Sequence, residues 1–220
     1  MENYEELKAT KLFSVASEFE CQAMMYCLKT RFKTYKKNEY IVSQDDPFED
    51  VILVLKGECV VETVDSMGNI SAVMRLKKGD VFGAELAFAK AKFHKDNLLA
   101  TEKTLVLFMD KHRLITMCDN RCKRHEFVIK NLMEMVADSN AKLLEKLGHM
   151  SKRTTREKLL SYLTTESNKA NSNYFTLSMS KTELAEYLGV DRSAMSWELT
   201  KLREDGIIDF DKREFHIIKK

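Results

Sequence analysis

The apolar positions of this chain change period along its length, and the changes divide it. Between residues 5 and 30, Leu7, Leu12, Phe13, Phe19, Met24, Met25 and Leu28 recur without strand alternation, which predicts short helices. From Arg31 the runs become short: Phe32 with Tyr35, then 40–42, 51–55, 59–64 and 70–76, followed by one longer run over 98–109. Turn-forming clusters punctuate them, namely Asp45-Asp46-Pro47, Lys56-Gly57-Glu58, Ser66-Met67-Gly68-Asn69 and Lys77-Lys78-Gly79-Asp80. Short strands at regular spacing predict an antiparallel β-barrel or sandwich, broken once by a helical stretch over 83–89.

Residues 111–147 contain no Gly and no Pro. Within them Val128, Leu132, Met135, Val136, Ser139, Leu143 and Leu147 step by about three and four, which predicts a long amphipathic helix with a coiled-coil-like seam. One small barrel cannot cover such a seam along its whole length. Leu132, Met135, Val136, Leu143 and Leu147 are therefore expected at a homodimer interface, the alternative being that the stripe packs only on its own barrel. Gly148 is the expected hinge. Lys152, Arg153 and Arg156 open a further helix with Leu159, Leu160 and Leu163 on its core face, before a polar loop over 168–173 and a short strand over 174–177.

The stretch from Ser180 to Gly206 reads as two helices joined by a tight turn. Ser180 and Glu183 form a capping-box pattern, and Leu184, Ala185 and Leu188 give the first helix its apolar face. Gly189 supplies the left-handed residue that ends it, and Asp191 is an N-cap for the second. That second helix buries Met195, Leu199 and Leu202 and turns Arg192, Ser193, Ser196, Trp197 and Thr200 outward, with Glu198 as the one acid at the flank. This is a helix-turn-helix pattern, whose second helix enters a DNA major groove. An ordinary helical hairpin with a wet outer face is the competing reading. After Gly206, residues 207–210 and 215–218 flank the turn Asp211-Lys212-Arg213, a β-hairpin placed as a wing. The expected organisation is α+β: an effector-sensing antiparallel β-barrel of jelly-roll type with N-terminal helices over 1–110, a dimerisation helix over 111–148, and a winged helix-turn-helix over 149–220.

The chain has 220 residues and a formal charge of +2, so any basic footprint for DNA must be local. No apolar run is long enough to span a bilayer, and the charged start MENYEELKATKLF lacks a signal-peptide core, so a cytoplasmic protein without a membrane partner is expected. The five cysteines, Cys21, Cys27, Cys59, Cys118 and Cys122, are odd in number and irregular in spacing, which suits free buried thiols better than a disulfide framework or a metal site. No H-x-H, H-E-x-x-H, G-x-S-x-G or P-loop occurs. The expectation is a protein that is not an enzyme and holds no metal or cofactor.

Two motifs in order carry a family resemblance: Gly79-Asp80-x-Phe82-Gly83-x-Glu85-Leu86 in the barrel, and Leu184-Ala185-x-x-Leu188-Gly189-x-x-Arg192-x-x-x-Ser196-x-x-Leu199-x-x-Leu202 in the winged helix. The chain resembles the Crp/Fnr regulators, the family of the cyclic-AMP receptor protein and the fumarate-nitrate regulator. The resemblance implies a homodimer on a palindromic operator in double-stranded DNA, RNA polymerase as a partner, and control by a small molecule or redox signal. Gly83, Glu85, Asn97, Ser139 and Asn140 fall at positions that meet the effector in relatives, although a polar break in the helix seam also accounts for Ser139 and Asn140. Where cyclic-AMP-binding members hold the phosphate with an Arg-Ser pair, this chain has Asp96 and Asn97, and an aspartate repels a phosphodiester. Cyclic AMP is therefore not the expected effector. Cys21 and Cys27 do not supply the clustered cysteines of the iron-sulfur branch, and nothing implies haem. Arg192 matches a DNA-contacting position and Trp197 replaces a second arginine, where it packs either on a thymine methyl or sugar or against the wing or a neighbouring helix, with Ser180 and Ser196 as phosphate contacts. A cyclic-nucleotide-responsive regulator is the runner-up, and a cupin-like metal enzyme the alternative of a different class.

Overall fold

A computed structural model describes residues 3–14, 16–44, 48–64, 67–84, 88, 96–116 and 123–219. The expected turns at Asp45-Asp46-Pro47 and Ser66, most of the expected helical stretch over 83–89, and Cys118 and Cys122 lie outside the described residues. The chain divides into two compact units, Met1–Ala137 and Asp138–Lys220. No helix among the described residues is long and apolar enough to cross a membrane.

The first unit opens with helices α1 (Tyr4–Lys8) and α2 (Glu18–Cys27), the second started by a capping box between Ser17 and Glu20. Eight strands follow: β1 (Arg31–Tyr35), β2 (Tyr40–Val42), β3 (Asp50–Lys56), β4 (Glu58–Val64), β5 (Ile70–Lys77), β6 (Val81–Phe82), β7 (Asp96–Ala100) and β8 (Thr104–Asp110). They form two four-stranded sheets, ordered β1-β8-β3-β6 and β2-β7-β4-β5, with every pairing antiparallel. Strand β3 is apolar at successive positions because both of its faces are covered. Val51, Leu53 and Leu55 face a core shared with α1 and α2, whereas Ile52 and Val54 face the core between the two sheets. The single run expected over 98–109 is instead two strands in different sheets. The polar residues Thr101, Glu102 and Lys103 make the crossing, and Thr104 Oγ1 donates to the Glu58 carbonyl at 2.9 Å.

Helix α3 (Lys111–Ile115) is capped by Asp110, and α4 runs from Lys123 to Met150. The front of α4 belongs to the first core: Val128 is fully buried, and Asn131 Nδ2 donates to the carbonyls of Lys11 and Leu12 at 2.9 and 3.2 Å. Leu132, expected at a dimer interface, is 5% exposed in this core and has almost no area left for a partner. Met135 is half-buried against the same cluster. Gly148 does not end the helix. A lone glycine costs about 1 kcal/mol in a helix interior, too little to stop one whose next residue, His149, is anchored in the second unit. The break comes after Met150, where Thr154 caps α5 (Thr155–Ala170) through a capping box with Glu157.

In the second unit α5 continues through the expected loop to Ala170 and closes on the left-handed Asn171. Strand β9 (Tyr174–Thr176), helices α6 (Lys181–Leu188) and α7 (Arg192–Glu204), and strands β10 (Ile208–Asp211) and β11 (Glu214–Ile217) complete it. The strands form one antiparallel sheet ordered β10-β11-β9. Leu159, Leu163, Leu184, Leu188, Met195, Leu199, Leu202, Phe215 and Ile217 share a single core.

Candidate nucleic-acid interface

The two-helix element is set by local chemistry at each end. Ser180 Oγ accepts from the Glu183 amide at 3.2 Å, while Glu183 Oε2 accepts from the Ser180 amide at 2.7 Å. Gly189, at φ 59°, takes the left-handed C-cap conformation. Two residues on, Asp191 Oδ1 accepts from the Ala194 amide at 2.8 Å and starts α7. Met195, Leu199 and Leu202 are fully buried, which fixes the inner face of α7. Arg192, Ser193, Trp197 and Thr200 are exposed on its other side and Ser196 is half-buried. The Thr200 hydroxyl donates to the Ser196 carbonyl at 3.1 Å, leaving its oxygen free to accept. Trp197 is 56% exposed, so within this chain it fills no core.

Cations that the sequence pattern did not single out surround this face. Lys201 Nζ lies 4.2 Å from the Trp197 ring centroid, one helical turn on. Lys181 Nζ lies 4.5 Å from the ring of Phe210 on the wing. At the wing tip Lys212 adopts φ 50°, and Arg213 Nη1 donates to the Ser178 carbonyl at 3.2 Å. The i,i+4 spacing of Trp197 and Lys201 was the one available signal for the first of these. The flanks of α7 are held by two arginines. Arg203 Nε pairs with Asp209 Oδ1 at 3.0 Å, and its guanidinium sits 3.9 Å over the Phe210 ring. Arg156, in the first turn of α5, pairs with Asp205 at 2.5 Å and lies 3.8 Å from Glu198. The outward face of the wing sheet has the opposite sign. Its rows are Asp209–His216–Tyr174 and Asp211–Glu214–Thr176, with Tyr174 and His216 stacked at 3.8 Å over a shallow groove of about 480 Å³.

The expected effector residues divide between the two units. Gly83 takes φ 84°, and a Cβ there would meet the Phe48 ring at 2.2 Å, so close packing already accounts for this glycine. Glu85 lies outside the described residues. Asn97 is buried and its Oδ1 accepts from the Gln44 amide at 2.8 Å, a structural tie. Asp96 opens β7 opposite Thr63. Ser139 and Asn140 are exposed on α4 and belong to the second unit. Burial pushes the Cys21 thiol up, and burial with Asp80 and Glu58 nearby pushes Cys59 up to about 12, which favours the thiol over the thiolate at both. No group of three or more His, Cys, Asp or Glu suited to a metal occurs among the described residues. Of the expected dimer residues, Val136, Leu143 and Leu147 are exposed on α4, alongside Met133 and Leu144.

Comparison with known proteins agrees with this arrangement. The cyclic nucleotide-binding domain family matches residues 32–121, and the Crp-like helix-turn-helix domain family matches residues 157–220. The transcriptional activator protein anr of Pseudomonas aeruginosa is 22% identical over 193 residues, 86% of this chain and 77% of that protein. Among solved structures, OCPA-complexed CprK superposes with a TM-score of 0.68 at 14% identity, over 90% of this chain and 91% of that one. A CooA variant from Carboxydothermus hydrogenoformans gives 0.65 at 18% identity, over 96% and 92%. With a sensor-type β-sheet domain and a Crp-like helix-turn-helix matched in this order, the chain belongs to the Crp/Fnr family of DNA-binding transcription regulators.

Proposed function

We propose that the chain acts in the cytoplasm as a homodimer that binds a palindromic operator through α7, under control of a small-molecule or redox signal other than cyclic AMP. The observation that carries the DNA reading is the division of α7 into a fully buried Met195–Leu199–Leu202 side and an outward side of Arg192, Ser193, Trp197 and Thr200. A helix held by its apolar side and polar on the other is what a major groove accepts. Arg192 donates two hydrogen bonds to a guanine, Ser193 and Thr200 line the same face, and Ser180 and Ser196 meet phosphates that fix register. The exposed Val136, Leu143 and Leu147 on α4 support pairing with a second copy. Two recognition helices about a two-fold axis then address half-sites about 34 Å apart. RNA polymerase is the partner at the promoter. Against cyclic AMP stands Asp96, whose charge opposes a phosphodiester at short range. Ser139 and Asn140 keep polar side chains exposed for the effector.

Selection on randomised duplexes at fixed salt tests the reading. The wild type should recover a palindrome. Arg192→Ala should lose about 1–3 kcal/mol and relax preference at one base pair per half-site. Recovery of no palindrome, or an unchanged preference in the variant, would refute it.

A further inference from the structure

Glu198 stands in α7 one residue from Trp197, at the flank of its outward side. Its Oε2 is buried and accepts no hydrogen bond, so the carboxylate depends on nearby charge for compensation. That charge is Arg156, whose Nη1 lies 3.8 Å away while Nη2 contacts Asp205 Oδ2 at 2.5 Å. Glu198 and Asp205 are seven residues apart, so they fall on one stripe along α7 and its C-cap. Two features set Arg156 apart from an ordinary surface ion pair. It sits in the first turn of α5, where the helix dipole opposes a cation, so its place does nothing for α5 itself. It also spans two carboxylates: Asp205 anchors the guanidinium, and the remaining donors face Glu198.

We propose that Arg156 is a positioning residue for DNA recognition, anchored on Asp205 so as to hold the Glu198 carboxylate off the DNA-facing side of α7. Released, the Glu198 side chain swings toward solvent beside Trp197, and its charge meets the operator phosphates. The loss falls on DNA affinity rather than on folding, because partly exposed ion pairs contribute little to stability. The proposal rests on the DNA reading assigned to α7.

The test uses a duplex selected by the wild-type protein and four proteins: wild type, Arg156→Ala, Glu198→Gln, and the double variant. Dissociation constants are measured across a salt series, with melting temperatures alongside. Arg156→Ala should bind about tenfold more weakly, as expected for one carboxylate brought close to the operator phosphates, with its melting temperature close to wild type. Glu198→Gln should bind like the wild type, and the double variant should recover to the level of Glu198→Gln. The slope of log affinity against log salt should become shallower in Arg156→Ala and return to the Glu198→Gln value in the double variant, because the carboxylate offsets phosphate neutralisation only while it is present. A slope shallower by about 0.9 in both Arg156→Ala and the double variant would make Arg156 itself a phosphate contact and overturn the proposal. Wild-type affinity in Arg156→Ala would also overturn it, as would a double variant no better than Arg156→Ala. A wild type that selects no duplex sinks the DNA reading, and this proposal with it.

Discussion

The indole of Trp197 stands in solvent with the Lys201 ammonium 4.2 Å from its ring centroid. An exposed aromatic on a polar helix face contributes little to folding, since burial is what stabilises an aromatic side chain. Against DNA it offers a flat apolar surface for a thymine methyl or a sugar, and it holds a cation at the height of the backbone. Trp197→Ala should therefore weaken operator binding while shifting the melting temperature by no more than a surface substitution does. Thermal denaturation and a binding isotherm on the same preparations separate the two effects. A melting temperature that falls before affinity does would make the residue a core element.

His149 lies at the end of α4 and is 3% exposed. Its Nδ1 meets Ser161 Oγ of α5 at 2.9 Å, and its ring stands edge-on to Tyr162 at 5.6 Å and tilted to Tyr187 of α6 at 6.4 Å. Burial holds its pKa below the ordinary histidine value, against the pull of Glu145 3.9 Å away; Lys169, Glu166 and Lys152 complete the charges around it. The unfolded chain therefore binds this proton more readily than the folded one. Stability is complete above the ordinary histidine pKa of about 6.5 and falls as pH drops from there toward the folded value. The junction of the three helices should lose stability on acidification through pH 6, and His149→Phe should flatten that part of the profile. Denaturant titrations at several pH values check it, and an equal slope in the variant removes His149 as the cause. The sequence made the caps of α6 and α7 legible, because Ser180, Glu183, Gly189 and Asp191 act within a few residues of themselves. It hid what depends on distant partners. Leu132 has seam spacing but is covered by its own first unit. Gly148 carries the mark of a hinge, yet its neighbour is anchored. The two strands within 98–109 look like one because both are apolar. The Arg156–Glu198 pair and the acidic rows of the wing sheet come only from tertiary packing and cross-strand register.

At the scale of the molecule, the exposed apolar side chains of α4 need explaining. Leu143 and Leu147 are 47% and 60% exposed, with Val136, Met133 and Leu144 nearby along the helix. Burying such side chains is worth about 1.5–3 kcal/mol each, and covering them in a symmetric pair is the simplest way for a regulator with one recognition helix per chain to reach both half-sites. Leu143→Glu should give monomers by light scattering at micromolar concentration, and those monomers should lose the operator. A wild type that is itself monomeric there contradicts the dimer.

The acidic face of the wing sheet bears on how the protein searches for its operator. The chain as a whole is nearly neutral, at +2. Asp209, Asp211 and Glu214 lie on the sheet face turned away from the core, and Arg192 lies on the exposed side of α7, which covers that core elsewhere. Asp209 is paired with Arg203, and Lys212 and Arg213 stand in the turn between Asp211 and Glu214, so the DNA-binding unit interleaves charges of both signs rather than forming a positive body. Its long-range attraction to an arbitrary duplex is weak, because charge acts on the duplex only within a Debye length of about 8 Å. Such a molecule should reside only briefly on random DNA. Discrimination against the many competing sites of a genome then begins before any base is read.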